Sequence, residues 1–146
     1  GNKLVLYHNV KDEYGKRIKE RVLQTNEHTF YIDGEVEVSD REDYKEIMEN
    51  NQDVVIVASF GTFSTGINLK NVNYIIFAES FKSEITIRQS IGRGMRNLIG
   101  KYKIIILDLI DDLGGYMIKH GKERERIYKE QEFPVSKKKF DLTRLL

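Results

Sequence analysis

Apolar and polar positions along this chain fall into blocks that read as strand, helix, strand, helix. Lys3 to Tyr7 (KLVLY) is a short apolar run, as a strand covered on both faces requires. Lys11 to Leu23 instead places Tyr14, Ile18, Val22 and Leu23 at helical spacing. His28 to Ile32 (HTFYI) reads as a second strand, stopped by Asp33-Gly34. Ser39-Asp40-Arg41-Glu42 predicts a helix start, with Ser39 as the cap and Glu42 at the position that answers it; the helix then runs through Tyr44, Ile47 and Met48. Val54 to Ala58 (VVIVA), Tyr74 to Ala78 (YIIFA) and Lys103 to Leu109 (KIIILDL) predict three more strands. Ser83 to Leu98 and Tyr116 to Glu132 predict helices, the second anchored by Ile118, Ile127 and Tyr128 and ended by Pro134. Ser59 to Lys70, rich in Gly, Ser and Thr, reads as a functional loop.

Strand-helix alternation with short connections predicts a three-layer α/β domain around a mostly parallel sheet. Ligands on such sheets bind beyond the carboxyl ends of the strands. The loop after the third strand and the turn after the fourth belong to that edge. A core of residues 1–112 is expected, with residues 113–146 as a C-terminal helix and tail packing on or extending the same domain.

Composition narrows the picture. A chain of 146 residues with 40% hydrophobic and 32% charged residues is long enough for one globular domain with a real core. The net charge is only +1, so any nucleic-acid contact must come from a local patch. With no cysteine, disulfides and thiolate metal sites are excluded. His8, His28 and His120 lie far apart and form no metal-ligand spacing, which makes them surface or packing residues. No apolar run approaches the roughly 18 residues that span a bilayer, and no signal-peptide pattern occurs, so an intracellular location is expected. Gly1-Asn2-Lys3 leads straight into an apolar run with no initiator Met. This reads as a piece of something longer, with Gly1 as an added residue.

The densest chemistry lies in Arg88-Gln89-Ser90-Ile91-Gly92-Arg93-Gly94-Met95-Arg96. Gln89, Gly92, Arg93 and Arg96 recur at three- and four-residue steps and so share one helical face. Arg is always charged and offers a planar fork of donors, which suits phosphate. Gly92 and Gly94 each cost roughly 1 kcal/mol in a helix interior relative to Ala, so they imply close approach of another backbone or a ligand. A second candidate is Ser64-Thr65-Gly66-Ile67-Asn68, where small hydroxyls and open N–H groups follow a strand. The P-loop pattern G-x-x-x-x-G-K-[ST] is absent: Gly94 and Gly100-Lys101 are separated by five residues, and Tyr102 follows. No D-E-x-[DH] box follows a strand either. Asp108, Asp111 and Asp112 are expected to end the fifth strand and cap the next helix. Lys137-Lys138-Lys139 reads as a solvated tail and gives only a weak nucleic-acid signal.

Taken in order, these stretches resemble the C-terminal RecA-like motor domain of superfamily 2 helicases. Gln89-x-x-Gly92-Arg93-x-x-Arg96 resembles motif VI, Ser64 to Asn68 resembles motif V, and Leu4 to His8 resembles the motif IV strand. Tyr31-Ile32-Asp33-Gly34 resembles the strand-plus-glycine element that follows, with Arg41 at the place of a frequent arginine. Val57 to Gly66, and His120, Gly121, Arg124, Ile127 and Tyr128 in the tail, are similar to phage UvsW-type and XPB-like helicases. The resemblance implies a division of labour. ATP with Mg²⁺ is held mainly by an N-terminal RecA-like domain of the same polypeptide. Arg93 and Arg96 reach across the cleft as arginine fingers, and Gln89 bridges to motif V. Gly66, Asn68 and Gly92 lie toward the nucleotide. Ser64, Thr65, Gly34 and Arg41 meet the phosphates of single-stranded or branched DNA. Asn68 stands where many relatives carry Asp, so it can hydrogen-bond a ribose but brings no charge. The isolated chain is expected to be inactive. Two other readings stand beside this one: a non-catalytic nucleic-acid-binding module that kept the fold, and an unrelated α/β enzyme holding a small phosphorylated ligand through Arg93 and Arg96.

Overall fold

Strands that are apolar on both faces must be covered on both faces, and parallel pairing with crossover connections does this. The computed structural model of the chain describes residues 1–8, 11, 13–64, 69–78, 104–110 and 115–141. Within them lie strands β1 (Lys3–Tyr7), β2 (Thr29–Ile32), β3 (Val55–Ser59), β4 (Tyr74–Phe77) and β5 (Ile105–Asp108). They form one sheet in the order β2-β3-β1-β4-β5, with every pairing parallel. The helices are α1 (Tyr14–Leu23), α2 (Val38–Asn50), α3 (Phe60–Ser64) and α4 (Gly115–Glu130).

The period of two along each strand sorts side chains between two cores. Leu4, Leu6, Ile56, Ala58, Ile75 and Phe77 face the larger one, which also takes Met48 of α2, Phe60 and Phe63 of α3, and Ile127 and Tyr128 of α4. Val5, Tyr7, Val55 and Val57 face the other, closed by Tyr14, Ile18 and Val22 of α1. Gly15 makes this second seat possible, because a Cβ there would fall inside the ring of Tyr7. The expected three-layer α/β architecture is therefore present. Among the described residues no helix is long and apolar enough to cross a membrane.

Several local expectations give way to tertiary structure. Leu23, read as part of the apolar face of α1, is 40% exposed, because the buried stripe ends at Val22. Ser39 does not cap α2. The helix begins at Val38 after Glu37, with no side-chain cap bond. The turn before it is instead closed by Asp33, whose Oδ1 accepts from the amides of Glu35 and Val36 (2.8 and 3.1 Å). Arg41 closes it from the helix side, donating from Nε to the Val36 carbonyl (3.0 Å) and from Nη2 to the Asp33 carbonyl (2.8 Å). The stretch read as loop from Ser59 opens with α3, because Phe60 and Phe63 lie one turn apart and both enter the core. Helix α4 ends at Glu130, before Pro134. Glu132 has a φ of 61°, and the amides of Glu132 and Phe133 bond the carbonyls of Lys129 and Tyr128 at 3.0 Å each. This is a Schellman ending, with Glu in the place glycine usually takes.

One buried polar residue ties the amino edge of the sheet together. Asn2 is 1% exposed. Its Nδ2 group donates to the carbonyls of Met48, Asn51 and Asn71 at 2.8, 2.9 and 3.0 Å, and its Oδ1 accepts from the Val54 amide at 2.9 Å. Its own amide donates to Asn73 Oδ1 (2.8 Å), and its carbonyl accepts from Asn73 and Tyr74. A single side chain thus satisfies groups from the end of α2 and from the segments that enter β3 and β4. Truncating it leaves buried donors and acceptors unpaired, each costing about 1–3 kcal/mol. Asn2→Ala is predicted to destabilise the domain by about 3 kcal/mol or more, read as a lower urea midpoint at unchanged slope. A shift equivalent to less than about 0.5 kcal/mol would show that water replaces the network.

Candidate functional site at the carboxyl edge of the sheet

Parallel pairing sends every strand out at one edge, and the register says in what order. Ile32 lies opposite Ala58, Tyr7 opposite Ser59, Leu6 opposite Phe77, and Phe77 opposite Asp108. Reading across the edge, the chain presents the Asp33–Val36 turn, the Ser59–Ser64 segment, His8, Ala78 and Asp108. The candidate segments of the sequence thus leave the sheet side by side.

Of the predicted site residues, Gly34 and Arg41 are described in full. Gly34 lies in an open position, with no heavy atom within 4 Å of where a Cβ would stand. Arg41 shapes the turn that carries Gly34 through its two bonds to main-chain carbonyls. Ser64 is placed as the last residue of α3. Thr65, Gly66 and Asn68, and Gln89, Gly92, Arg93 and Arg96, lie outside the described residues.

The approach to residues 65–68 is built rigidly. Thr62 donates its amide to Ser59 Oγ (3.2 Å), so Ser59 caps α3, and the two hydroxyls bond each other at 2.8 Å. Phe60 packs on Phe77 with ring centroids 5.5 Å apart. Phe63 is buried before residues 65–68, and Leu69 and Val72 are buried after them. Burial of side chains of this size stabilises by roughly 1.5–3 kcal/mol each, enough to hold both ends of the segment.

Near β1, the rings of Tyr7 and Tyr31 stack at 6.4 Å and their hydroxyls bond at 2.8 Å; Tyr14 meets Tyr7 edge-on at 6.1 Å. Burial, and then the bond to Tyr7, holds the Tyr31 hydroxyl well above the usual tyrosine range. His8 is exposed beside this cluster.

Asp111 and Asp112, expected to end the fifth strand and cap the next helix, lie outside the described residues. At the far side Asp108 does end β5, but it binds side chains within α4 rather than capping the start of that helix. Its carboxylate accepts from Arg124 Nε (2.7 Å), Arg124 Nη2 (2.9 Å) and the Tyr128 hydroxyl (2.8 Å), all from α4. Arg124 sits in a charged run and yet is fully buried. Burial, with the Asp108 charge second, pushes the Tyr128 hydroxyl up. The lysine tail is not wholly solvated: Lys137 reaches back to Glu125 at 2.6 Å, and with Lys129 holds that carboxyl below the usual range. Among the described residues no group of three or more His, Asp or Glu is placed to hold a metal ion.

Comparison with known proteins agrees with this layout. The family model of the helicase conserved C-terminal domain matches residues 1–98. The chain is 33% identical to the ATP-dependent DNA helicase UvsW of Enterobacteria phage T4 over 90% of this chain and 29% of that protein. It is 29% identical to the probable helicase D10 of Escherichia phage T5, over 82% of this chain and 26% of that protein. The crystal structure of T4 UvsW superposes with a TM-score of 0.74 over the same shares. The E. coli DEAD-box protein SrmB shares the fold at 17% identity, with a TM-score of 0.67 over 96% of this chain and 75% of that one. The chain thus spans under a third of the two phage relatives it matches.

The two raised tyrosines predict a pH dependence. In the unfolded chain both titrate near the ordinary tyrosine value of about 10, whereas in the fold both hold their protons to higher pH. The folded state then binds more protons, so this stability is fully present below about pH 10 and is lost as pH rises above it. The urea midpoint should fall across this range, and Tyr31→Phe with Tyr128→Phe should flatten the fall. An equally steep fall in the double variant would rule the tyrosines out as its cause.

Proposed function

The chain belongs to the helicase conserved C-terminal domain family, and from that premise we propose that it is the second motor domain of an ATP-dependent DNA helicase. The observation that carries this reading is the shared carboxyl edge. The Gly34 turn follows β2, the Ser59–Ser64 segment follows β3 and Ala78 follows β4, and all three parallel strands end at the same edge of the sheet. The sequence supplies phosphate-seeking groups there but no P-loop, so a triphosphate must be seated mainly on another domain.

In this arrangement Arg93 and Arg96 point at a nucleotide held by an N-terminal RecA-like domain. They stabilise charge that develops on the transferred phosphoryl group. Gln89 links that event to the Ser64–Asn68 segment, with Gly66, Asn68 and Gly92 allowing close approach to the nucleotide. Thr65, Ser64 and the open Gly34 turn contact DNA phosphates, and Arg41 acts by holding that turn in shape. Such contacts read no sequence, as a translocating motor requires. ATP bound by both domains closes the cleft; hydrolysis releases it and shifts the grip on one strand, which drives unwinding or branch remodelling. Mg²⁺ belongs with the partner domain's nucleotide site and supplies charge neutralisation there.

Two outcomes test this. The purified 146-residue chain should show no ATP hydrolysis with or without DNA; DNA-stimulated turnover by it alone would overturn the division of labour. In the two-domain enzyme, Arg93→Ala or Arg96→Ala should lower kcat by roughly 10³-fold while ATP affinity largely survives. Weakened binding with normal turnover at saturation would refute the finger role.

A further inference from the structure

The Asp108 cluster lies outside the motifs that carry the proposed function, yet it is the most deeply buried ionic group among the described residues. Side-chain exposure is 0% for Arg124 and 12% for Asp108, whereas in each other ion pair between described residues at least one partner is 48% exposed or more. We propose that Arg124 and Tyr128, acting through Asp108, are positioning residues for the arginine-bearing stretch. This rests on the function proposed above.

Among the described residues strand β5 is the edge of the sheet, paired on one side only. Ile105 and Leu107 are each 43% exposed, so one face of the strand is only loosely covered. Its placement depends on the β4 ladder and on α4. Helix α4 grips it at three points on one helical face. A Cβ on Gly121 would stand 2.7 Å from Ile110 Cδ1, so the helix backbone comes as close as a glycine allows. Arg124 holds both carboxylate oxygens of Asp108, and Tyr128 binds Oδ2 a second time. A two-pronged guanidinium fixes direction as well as distance.

Stability alone does not account for this choice. Arg124 Nη1 is buried with no hydrogen-bond partner, an unfavourable state for a cation. Replacing a buried ion pair by apolar residues is often neutral or stabilising. What the pair supplies is a defined position for the end of β5. In sequence, Gln89, Arg93 and Arg96 lie between two residues whose amides are pinned to the sheet: Ala78 on the Leu6 carbonyl (2.9 Å) and Ile105 on the Asn73 carbonyl (3.0 Å). Phe77 and Asp108 are register partners, so a shift of β5 displaces one anchor of the arginines relative to the other. A misplacement of about 1 Å can cost a reacting site about 10²-fold in rate.

The test uses the two-domain enzyme and reads thermal midpoint, KM for ATP and kcat together. Asp108→Leu combined with Arg124→Met is expected to stay folded at the assay temperature and leave KM within a few-fold, while kcat falls by about 10²-fold. Arg124→Lys should recover part of kcat. Wild-type kcat in a stably folded double variant would show that the pair is structural only and overturn the proposal. If the double variant unfolds, Tyr128→Phe, which removes one bond and keeps the ring, decides it. A kcat lowered several-fold, measured well below the variant's own midpoint, supports positioning; an unchanged kcat overturns it. Arg93→Ala is run beside these. Normal turnover in that variant would sink the finger reading, whereas an inactive Arg93→Ala with fully active cluster variants would sink this proposal alone.

Discussion

Parallel pairing around β1 is the constraint on which the rest of this structure depends. β1 sits between β3 and β4, with Leu4 and Leu6 turned to one core and Val5 and Tyr7 to the other. A parallel neighbour can be reached only by a connection that recrosses the sheet. Every strand therefore ends at the same edge, and residues far apart in sequence are gathered there. The cost of the arrangement falls on the opposite edge, where chain segments converge with main-chain groups that need partners. Asn2 answers four of those groups with one side chain.

The two edges carry different chemistry. At the amino edge the polar groups are closed on one another: Asn2 on main chain, and Lys3 on Asp53 at 2.7 Å. At the carboxyl edge the scaffold is tight, but some groups face outward. Ser59 and Thr62 pin α3, Arg41 pins the turn at Gly34, and Arg124 pins Asp108. A site that must place charge against a reacting phosphate needs such rigidity beneath it. Relationship to the helicase C-terminal domain family and similarity to T4 UvsW fit a scaffold of this kind.

The inner strands β1 and β3 were legible because burial on both faces writes itself as an unbroken apolar run; KLVLY covers the same residues as β1. The anchors of α1 and α2 were legible for the same reason, at the helical period. Two features that escaped the sequence depend on partners distant along the chain. Asn2 gains its role from residues 48, 51, 54 and 71, none of which its neighbours announce. Arg124 sits among Lys, Glu and Arg and looks like solvent-facing charge until Asp108 meets it. Ser39 had the local pattern of a cap, but Asp33 and Arg41 had already closed the turn. The short helix after Ser59 could have been found from the spacing of Phe60 and Phe63 behind a capping serine. For the candidate site, sequence supplied the residues that are proposed, and the register shows that the described segments leading to them leave one edge of the sheet.

The central claim is that Arg93 and Arg96 serve a triphosphate seated on another domain. The most direct measurement is a crystal structure of the two-domain enzyme with ADP and a phosphoryl-transfer analogue such as aluminium fluoride. The account predicts the adenine nucleotide on the partner domain's P-loop, with both guanidinium groups within about 3 Å of the fluoride ligands. A structure in which these arginines instead meet the DNA backbone, with the analogue untouched by this chain, would contradict it.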